Sequence, residues 1–447
     1  MAGKINIFNL GSLGVNVDKS ALHLEDGELS KAQNAIRDGI GQDGAIRKRP
    51  GLVKYSADVT GSVLGGIGVP LALLTGGTVT RTTYWARQTR GASLGATQGW
   101  YSSTNGFTST ATIISAGTPA NPRTDQLTDG STPYSALGTG MPGAAVVFQN
   151  RLYYASTYTI GTDRPPIRVF DGTVDWELTR VPHNGTLTTN ETAIFSMLLV
   201  GSKIYLTTKD GTSGDGANRT GRVFALDPSS GALTQIGKQW ATTYQPYCLA
   251  WHMGRLWAGS MDVSGGVANL GYVSYIRPGI DTDWTQDRIL AQGTSGGCSF
   301  LYSFQGQLFA GNWTGTQTSA RVEVRDSVGA WTASLTVATG AQSMFMNAVE
   351  FSGALYVTLF DQTGSVSTVR KFDGSTWSIV LTAGLSKPLP QIWVDAGVIY
   401  AGGGGDNIAI NLFTSTDGSS WTDRSANLPT ATEICGATLV GTLATVT

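Results

Sequence analysis

One six-residue pattern recurs along this chain at nearly constant spacing, and it limits the fold more than any other feature. "GRLWAG" occupies residues 254–259, "GQLFAG" 306–311, "GALYVT" 353–358 and "GVIYAG" 397–402. An apolar run precedes each copy, so the unit reads as a strand, a tight turn and an apolar–aromatic strand. Earlier copies are "AAVVFQNRLYYAS" from Ala144 and "SMLLVGSKIYLTT" from Ser196, and the chain ends on "CGATLVGTLATVT". The aligned turn positions are Asn150, Gly201, Gly254, Gly306, Gly353, Gly397 and Gly441, spaced by 51, 53, 52, 47, 44 and 44 residues. A two-residue hairpin turn follows the right-handed strand twist only with positive φ at its centre, which Gly and Asn adopt most readily. The aromatic and branched residues after the turn suit a pleated, half-buried strand. The small residues closing "LWAG", "LFAG" and "IYAG" predict a crowded strand end where another backbone approaches.

A second turn keeps the same period. It appears in "VFDGTVDWELTRV", "IRPGIDTDWTQDRI", "VRDSVGAWTASLTV", "FDGSTWSIVLT" and "TSTDGSSWTDRS". Asp-Gly or Pro-Gly closes an outer hairpin, and Trp176, Trp284, Trp331, Trp377 or Trp421 opens the next strand. A tryptophan repeated at one place in every unit predicts packing between neighbouring sheets. Two hairpins per ~50 residues make one four-stranded sheet, and such sheets in series make a β-propeller. The outer hairpins predict seven blades, with six or eight also compatible with the spacing. Residues 80–114 read as a degenerate first unit whose "STNGFTS" echoes the later "STDGSSW". The terminal "GATLVGTLATV" reads as an inner hairpin that completes this first blade, so that a C-terminal inner strand closes the ring. The propeller is assigned to residues 59–447 and an extended docking segment to residues 1–58.

Composition agrees with an all-β chain rich in tight turns. There are 59 glycines, and charged residues make up only 14%, against ~25% in ordinary soluble domains. The formal net charge is −1, so no global field draws the molecule to nucleic acid. Cys248, Cys298 and Cys435 are sparse, odd in number and without CxxC spacing, which predicts buried apolar thiols on inner strands. The longest apolar run, "VLGGIGVPLALL" from Val63, is too short to cross a bilayer and contains Pro70. The first residues show no secretory signal. The expectation is a soluble protein made in a cytosol, without a membrane segment.

Residues 1–58 depart from the repeat. "LEDGELSKAQNAIRD" predicts a short helix after the turn at Glu25–Gly27, and "GQDGAIRKRPGL" predicts a hairpin whose last strand runs into Pro50. The pattern "GVNVDKS…L.LEDGEL..AQNAIRD…G.IRKRPGL" resembles the N-terminus of a group of tailed-bacteriophage virion proteins. The matching residues include Gly14, Val15, Asp26, Gly27, Glu28, Leu29, Ala32, Asn34, Ala35, Arg47, Arg49, Pro50 and Gly51. With a propeller behind it, this segment is similar to the nozzle or tail-hub proteins of short-tailed phages. The larger relatives carry platform domains for which this chain is too short. The resemblance implies a ring-forming structural part, commonly hexameric, below the portal and adaptor and around the DNA exit path. Its location would be the virion, assembled in the host cytoplasm, with genomic DNA passing without sequence-specific binding. Arg47, Lys48 and Arg49 are the candidate docking residues, for carboxylates on an adaptor or for phosphate. The competing reading is a charged edge strand that blunts sheet-to-sheet pairing. Eight basic against seven acidic residues over positions 1–60 do not make a dedicated DNA clamp.

Catalytic signatures are weak. "GASLG" at residues 91–95 matches G-x-S-x-G but sits in a Gly- and Thr-rich loop rather than a strand-to-helix turn. His23, His183 and His252 lie in unrelated contexts. "AGGGGDN" from Ala401 reads as a loose turn, and "KDGTSGDGAN" from Lys209 lacks calcium-loop spacing. "STDGSSW" resembles the Asp-box turn of sialidase-like propellers but is one residue short, and that turn is a fold element. Arg255 follows an inner turn, but its repeat equivalents are Ser202, Gln307, Ala354, Val398 and Thr442, so no arginine cluster emerges. No catalytic residue, metal ligand or cofactor is assigned, and the chain is read as non-enzymatic. The alternative is a carbohydrate-binding or glycan-cleaving propeller such as a host-recognition tail protein. An unassembled intracellular scaffold is a third reading.

Overall fold

In the computed structural model of the protein the described residues are 35–37, 46–48 and, from 79 to 446, the strands given below with the tight turns named alongside them. The chain divides into two compact units, Met1–Gly77 and Thr78–Thr447. In the first, Ala35–Arg37 and Ile46–Lys48 pair antiparallel. The expected hairpin is therefore present, with its partner strand drawn from the sequence assigned to the short helix. Residues 35–37 are extended because pairing with 46–48 satisfies their backbone groups, and such pairing overrides a modest local helix preference. The remainder of the expected helix lies outside the described residues.

The second unit is an all-β propeller. Among its described residues every regular element is a strand, apart from one 3-10 turn at Ser425–Asn427. One sheet takes the order Leu439–Val446, Val79–Arg87, Gly99–Ser103, Thr112–Ile113. The next holds Ala145–Phe148, Arg151–Ala155, Pro166–Phe170 and Asp175–Arg180, and the one after it Asn190–Val200, Lys203–Thr212, Thr220–Leu226 and Leu233–Gln235. A twelve-stranded sheet follows, made of three successive four-stranded meanders over residues 244–290, 296–338 and 343–384. Short backbone bridges join them, Met261 opposite Gly297 and Trp313 opposite Met344. The last sheet contains Gln391–Asp395, Val398–Gly405, Ile408–Ser415 and Thr422–Asp423.

The circle closes where the C-terminal strand meets the first strand of this unit. Leu439–Val446 runs antiparallel to Val79–Arg87 from Val79–Val446 to Ala86–Leu439. The C-terminal copy is thus one continuous strand and not the expected hairpin, with Gly441 opposite Tyr84 in mid-strand. The last sheet reaches the first through the Arg81–Asp395 ion pair and through Asn427 Nδ2, which donates to the Phe107 carbonyl at 2.7 Å.

The inner turns follow the expected chemistry and extend it. Met253 and Gly254 have φ of 47° and 72°, and Gln305 and Gly306 48° and 74°. Both central residues are therefore left-handed, as a type I′ turn requires, and a non-glycine occupies the first. The tryptophans lie between neighbouring sheets. Trp284 Nε1 donates to the Ile236 carbonyl at 3.2 Å, Trp331 Nε1 to Asp287 Oδ2 at 2.6 Å, and Trp377 Nε1 to Ser334 Oγ at 2.9 Å. Each bond points to the preceding unit.

Face-to-face stacking buries both sides of a strand, so alternation fades. Ala354–Asp361 is buried at every position. The crowding at the "AG" ends has a different source from the one expected. A Cβ on Gly259 would overlap Cys298 Sγ, and one on Gly311 would overlap the Phe300 ring, so inner-strand side chains fill the space, from the next unit at Gly259 and from the paired strand of the same unit at Gly311. Only at Gly402 is the close neighbour backbone, the Asn411 carbonyl. "AGGGGDN" is likewise mostly strand: residues 401–405 belong to Val398–Gly405, and only Asp406 and Asn407 separate it from Ile408–Ser415.

Candidate functional site

The first strands of six successive units, from Ala145–Phe148 to Gln391–Asp395, line an axial cavity of about 340 Å³. Four of these strands carry a register shift at the same level. The residues left without a ladder partner are Phe195, Tyr247, Ser299 and the pair Met346–Asn347. A bulge inserts an extra residue and bends the strand, re-aiming side chains. All five of these residues line the cavity. The Phe195 and Tyr247 rings meet at 5.1 Å, and Trp393 stacks on its cross-strand partner Tyr400 at 5.0 Å with planes 7° apart.

Polar groups in the lining are neutral. Ser299 Oγ donates to the Gly311 carbonyl at 3.1 Å, Tyr302 Oη accepts from the Glu350 N–H at 3.0 Å, and Asn347 Oδ1 accepts from the Ala348 N–H at 2.8 Å. Among the described residues the lining has no carboxylate, histidine, lysine or arginine. Such a surface can stack on a flat or ring-shaped neutral group and offer amide and hydroxyl contacts. Glycosidic cleavage asks for two carboxylates flanking the substrate, and this lining provides none.

The rim carboxylates are engaged in turns. Asp417 Oδ1 accepts from the N–H groups of Ser419 and Ser420, both at 2.7 Å, and Oδ2 accepts from Ser420 Oγ at 2.9 Å. Asp373 does the same with Ser375 and Thr376. These backbone N–H bonds hold both carboxyls far below the usual carboxylate range. For Asp227 the first cause is the Lys203 ammonium at 2.6 Å, with Ser229 adding to it. The Asp-box-like segment is therefore a turn element. In the first sheet its counterpart uses Asn105, and Phe107, with φ of 63° and no exposed surface, is anchored by its N–H bond to Ser103 Oγ at 2.8 Å.

Of the docking residues expected from sequence, Arg47 pairs opposite Ile36 and Lys48 opposite Ala35, while Arg49 lies outside the described residues. "GASLG", His23, His183 and Cys435 also lie outside them, and of "KDGTSGDGAN" only the strand residues 209–212 lie within. Cys248 and Cys298 are buried on inner strands, as expected. His252 is buried, with Nδ1 at 2.9 Å from Ser303 Oγ. Desolvation, and then the charges of Arg325 and Arg255, push its pKa down. Comparison of repeat equivalents left Arg255 isolated, but Arg325 lines the same surface cavity. It comes from the outer hairpin of the following unit, so equivalence along the repeat does not find it. No group of three or more metal-binding side chains occurs among the described residues, and no helix there is long and apolar enough to cross a membrane.

No protein-family model matches the chain, and no curated protein matches it. Among solved structures, it is similar to a puromycin-hydrolysing peptidase of Mycobacterium tuberculosis, with 11% identity and a TM-score of 0.42 over 66% of this chain. The alignment spans 48% of that peptidase, about half its length. YjhT aligns at 10% identity and a TM-score of 0.43, covering 64% of this chain and 97% of its own. A Trypanosoma rangeli sialidase aligns at 10% identity and 0.42, covering 64% and 54%.

Proposed function

We propose that this chain is a structural, non-catalytic component of a tailed-bacteriophage virion, of the nozzle or tail-hub type. Copies assemble into a ring, commonly hexameric, below the portal and adaptor and around the DNA exit path. The observation that carries this reading is the "GVNVDKS…IRKRPGL" segment, which lies in a compact unit of its own ahead of the propeller. Arg47, Lys48 and Arg49 are the docking charges toward a neighbouring tail protein, the first two lying on its paired strand. The propeller itself is read as seven-bladed, the four separate four-stranded sheets adding to the three meanders of the twelve-stranded one.

A second reading has its own supporting observation. The aromatic, uncharged cavity around Phe195, Tyr247 and Trp393 fits a neutral sugar ring, which supports glycan binding over glycan cleavage. Native mass spectrometry of the purified chain, with and without portal and adaptor proteins, separates the two. A closed ring of identical copies, also seen by electron microscopy of the particle, is the expected result. A lasting monomer that is missing from the particle and retains neutral glycans on an array overturns the tail reading in favour of the second.

A further inference from the structure

A second cavity, of about 260 Å³, opens at the turn-bearing rim between the first two meanders of the twelve-stranded sheet. It is lined by Met253, Arg255 and Trp257 from one unit and Arg325, Ser327 and Val328 from the next. We propose that this cavity is a docking pocket for a carboxylate side chain borne on a short apolar segment of a partner protein. The proposal does not depend on the tail reading.

Trp257 lines the pocket, and beside it two guanidinium groups lie over a pair of aromatic rings. Trp257 and Tyr275 are cross-strand partners with ring centres 4.9 Å apart. Arg325 Cζ lies 5.0 Å from the Trp257 ring centre and Arg255 Cζ 4.3 Å from that of Tyr275. Stacking holds a guanidinium flat and leaves its edge donors available to a planar acceptor.

The two arginines are not equivalent. Arg325 Nε donates to Asp287 Oδ2 at 2.9 Å, and Asp287 also accepts from Trp331 Nε1 at 2.6 Å, so this cation is matched and fixed. Arg255 makes no ion pair among the described residues. The carboxylates near it are committed elsewhere. Asp281 is gripped by the Arg277 side chain at 2.7 and 3.0 Å, and Asp326 accepts from the Val328 and Ala330 N–H groups within its own turn. The lining therefore holds two guanidinium groups and no carboxylate.

The surroundings identify the rest of the ligand. Met253 is 55% exposed and Val328 87% exposed, an apolar pair at the mouth that a small free carboxylate would leave uncovered. One open guanidinium suits a monoanionic carboxylate better than a phosphate dianion, and flanking apolar side chains suit the neighbouring residue of a peptide.

The probe is a synthetic acetylated, amidated peptide with one carboxylate between apolar residues, LVEVL, titrated into the full chain by isothermal calorimetry or NMR, beside its neutral counterpart LVQVL. Saturable binding of the acidic peptide alone is expected. Arg255→Met should weaken it about tenfold, the scale of losing one charge-assisted contact. Val328→Asp, at a site too exposed to unfold the protein, should weaken it comparably by repulsion. Absence of binding, equal binding of the two peptides, or affinity in either variant equal to that of the unsubstituted chain overturns the proposal. So does competition by inorganic phosphate or duplex DNA at lower concentration than the peptide requires.

Discussion

The Sγ atoms of Cys248 and Cys298 lie 3.7 Å apart across the boundary between two units, each on an innermost strand and each buried. Both sit over Gly259, where a Cβ would overlap both sulfurs. Burial raises the Cys298 thiol well above its ordinary value, with Cys248 adding to the effect. Native protein should therefore resist alkylation at both thiols, and denatured protein should take up reagent at both, as counted by mass spectrometry. Gly259→Ala should destabilise the fold by about 2 kcal/mol through overpacking, read from the urea midpoint.

Asp287 joins Arg325 to Trp331 in a largely enclosed cluster between units. Asp287→Ala strands a cation and an indole N–H together. The expected loss is about 3 kcal/mol, the lower end for breaking a buried pair, measured by chemical denaturation. Trp331→Phe keeps the ion pair and should cost distinctly less.

The turn carboxylates set the acid limit. Asp417, Asp373 and Asp227 all have folded pKa values depressed below the unfolded one. Their contribution is thus complete above the unfolded value of about 4 and is lost as pH falls below it. Urea midpoints should hold steady from pH 7 to about 5 and drop toward pH 3. Asp373→Asn and Asp417→Asn together should flatten that drop. An unchanged acid slope in the double variant would refute the assignment.

Removal of residues 439–447 takes away the strand paired with Val79–Arg87. A shortened chain should melt at lower temperature and self-associate, because an open strand edge templates pairing with other chains. Size-exclusion chromatography and a thermal melt against the full chain test this.

Much of the fold was legible because it depends on local chemistry. Gly254 and Gly306 signalled turns because few residues tolerate positive φ, and Trp331 and Trp377 signalled inter-sheet packing because a large ring repeats only where it is repeatedly buried. The strand at Ala35–Arg37 was not legible, since its pairing with Ile46–Lys48 is set across a gap in sequence. Nor were the bulges at Tyr247 and Ser299: they arise where strands converge on an axis, and an inserted residue looks like any other in an apolar run. Arg325 escaped because it joins Arg255 from a different position of a different unit. The hairpin expected around Gly441 failed because a turn-forming residue also fits mid-strand when a long partner lies alongside.

The meanders over residues 244–384 are knitted by main-chain bridges, whereas the last and first sheets meet through side chains such as Arg81 with Asp395 and Asn427 with the Phe107 carbonyl. Strain applied to the circle is therefore shared unequally. The bridged arc behaves as one stiff plate, and deformation concentrates at the junctions outside it, among them the seam between the last and first sheets. A neighbour gripping that seam would change the diameter of the circle with less effort than one gripping the opposite side.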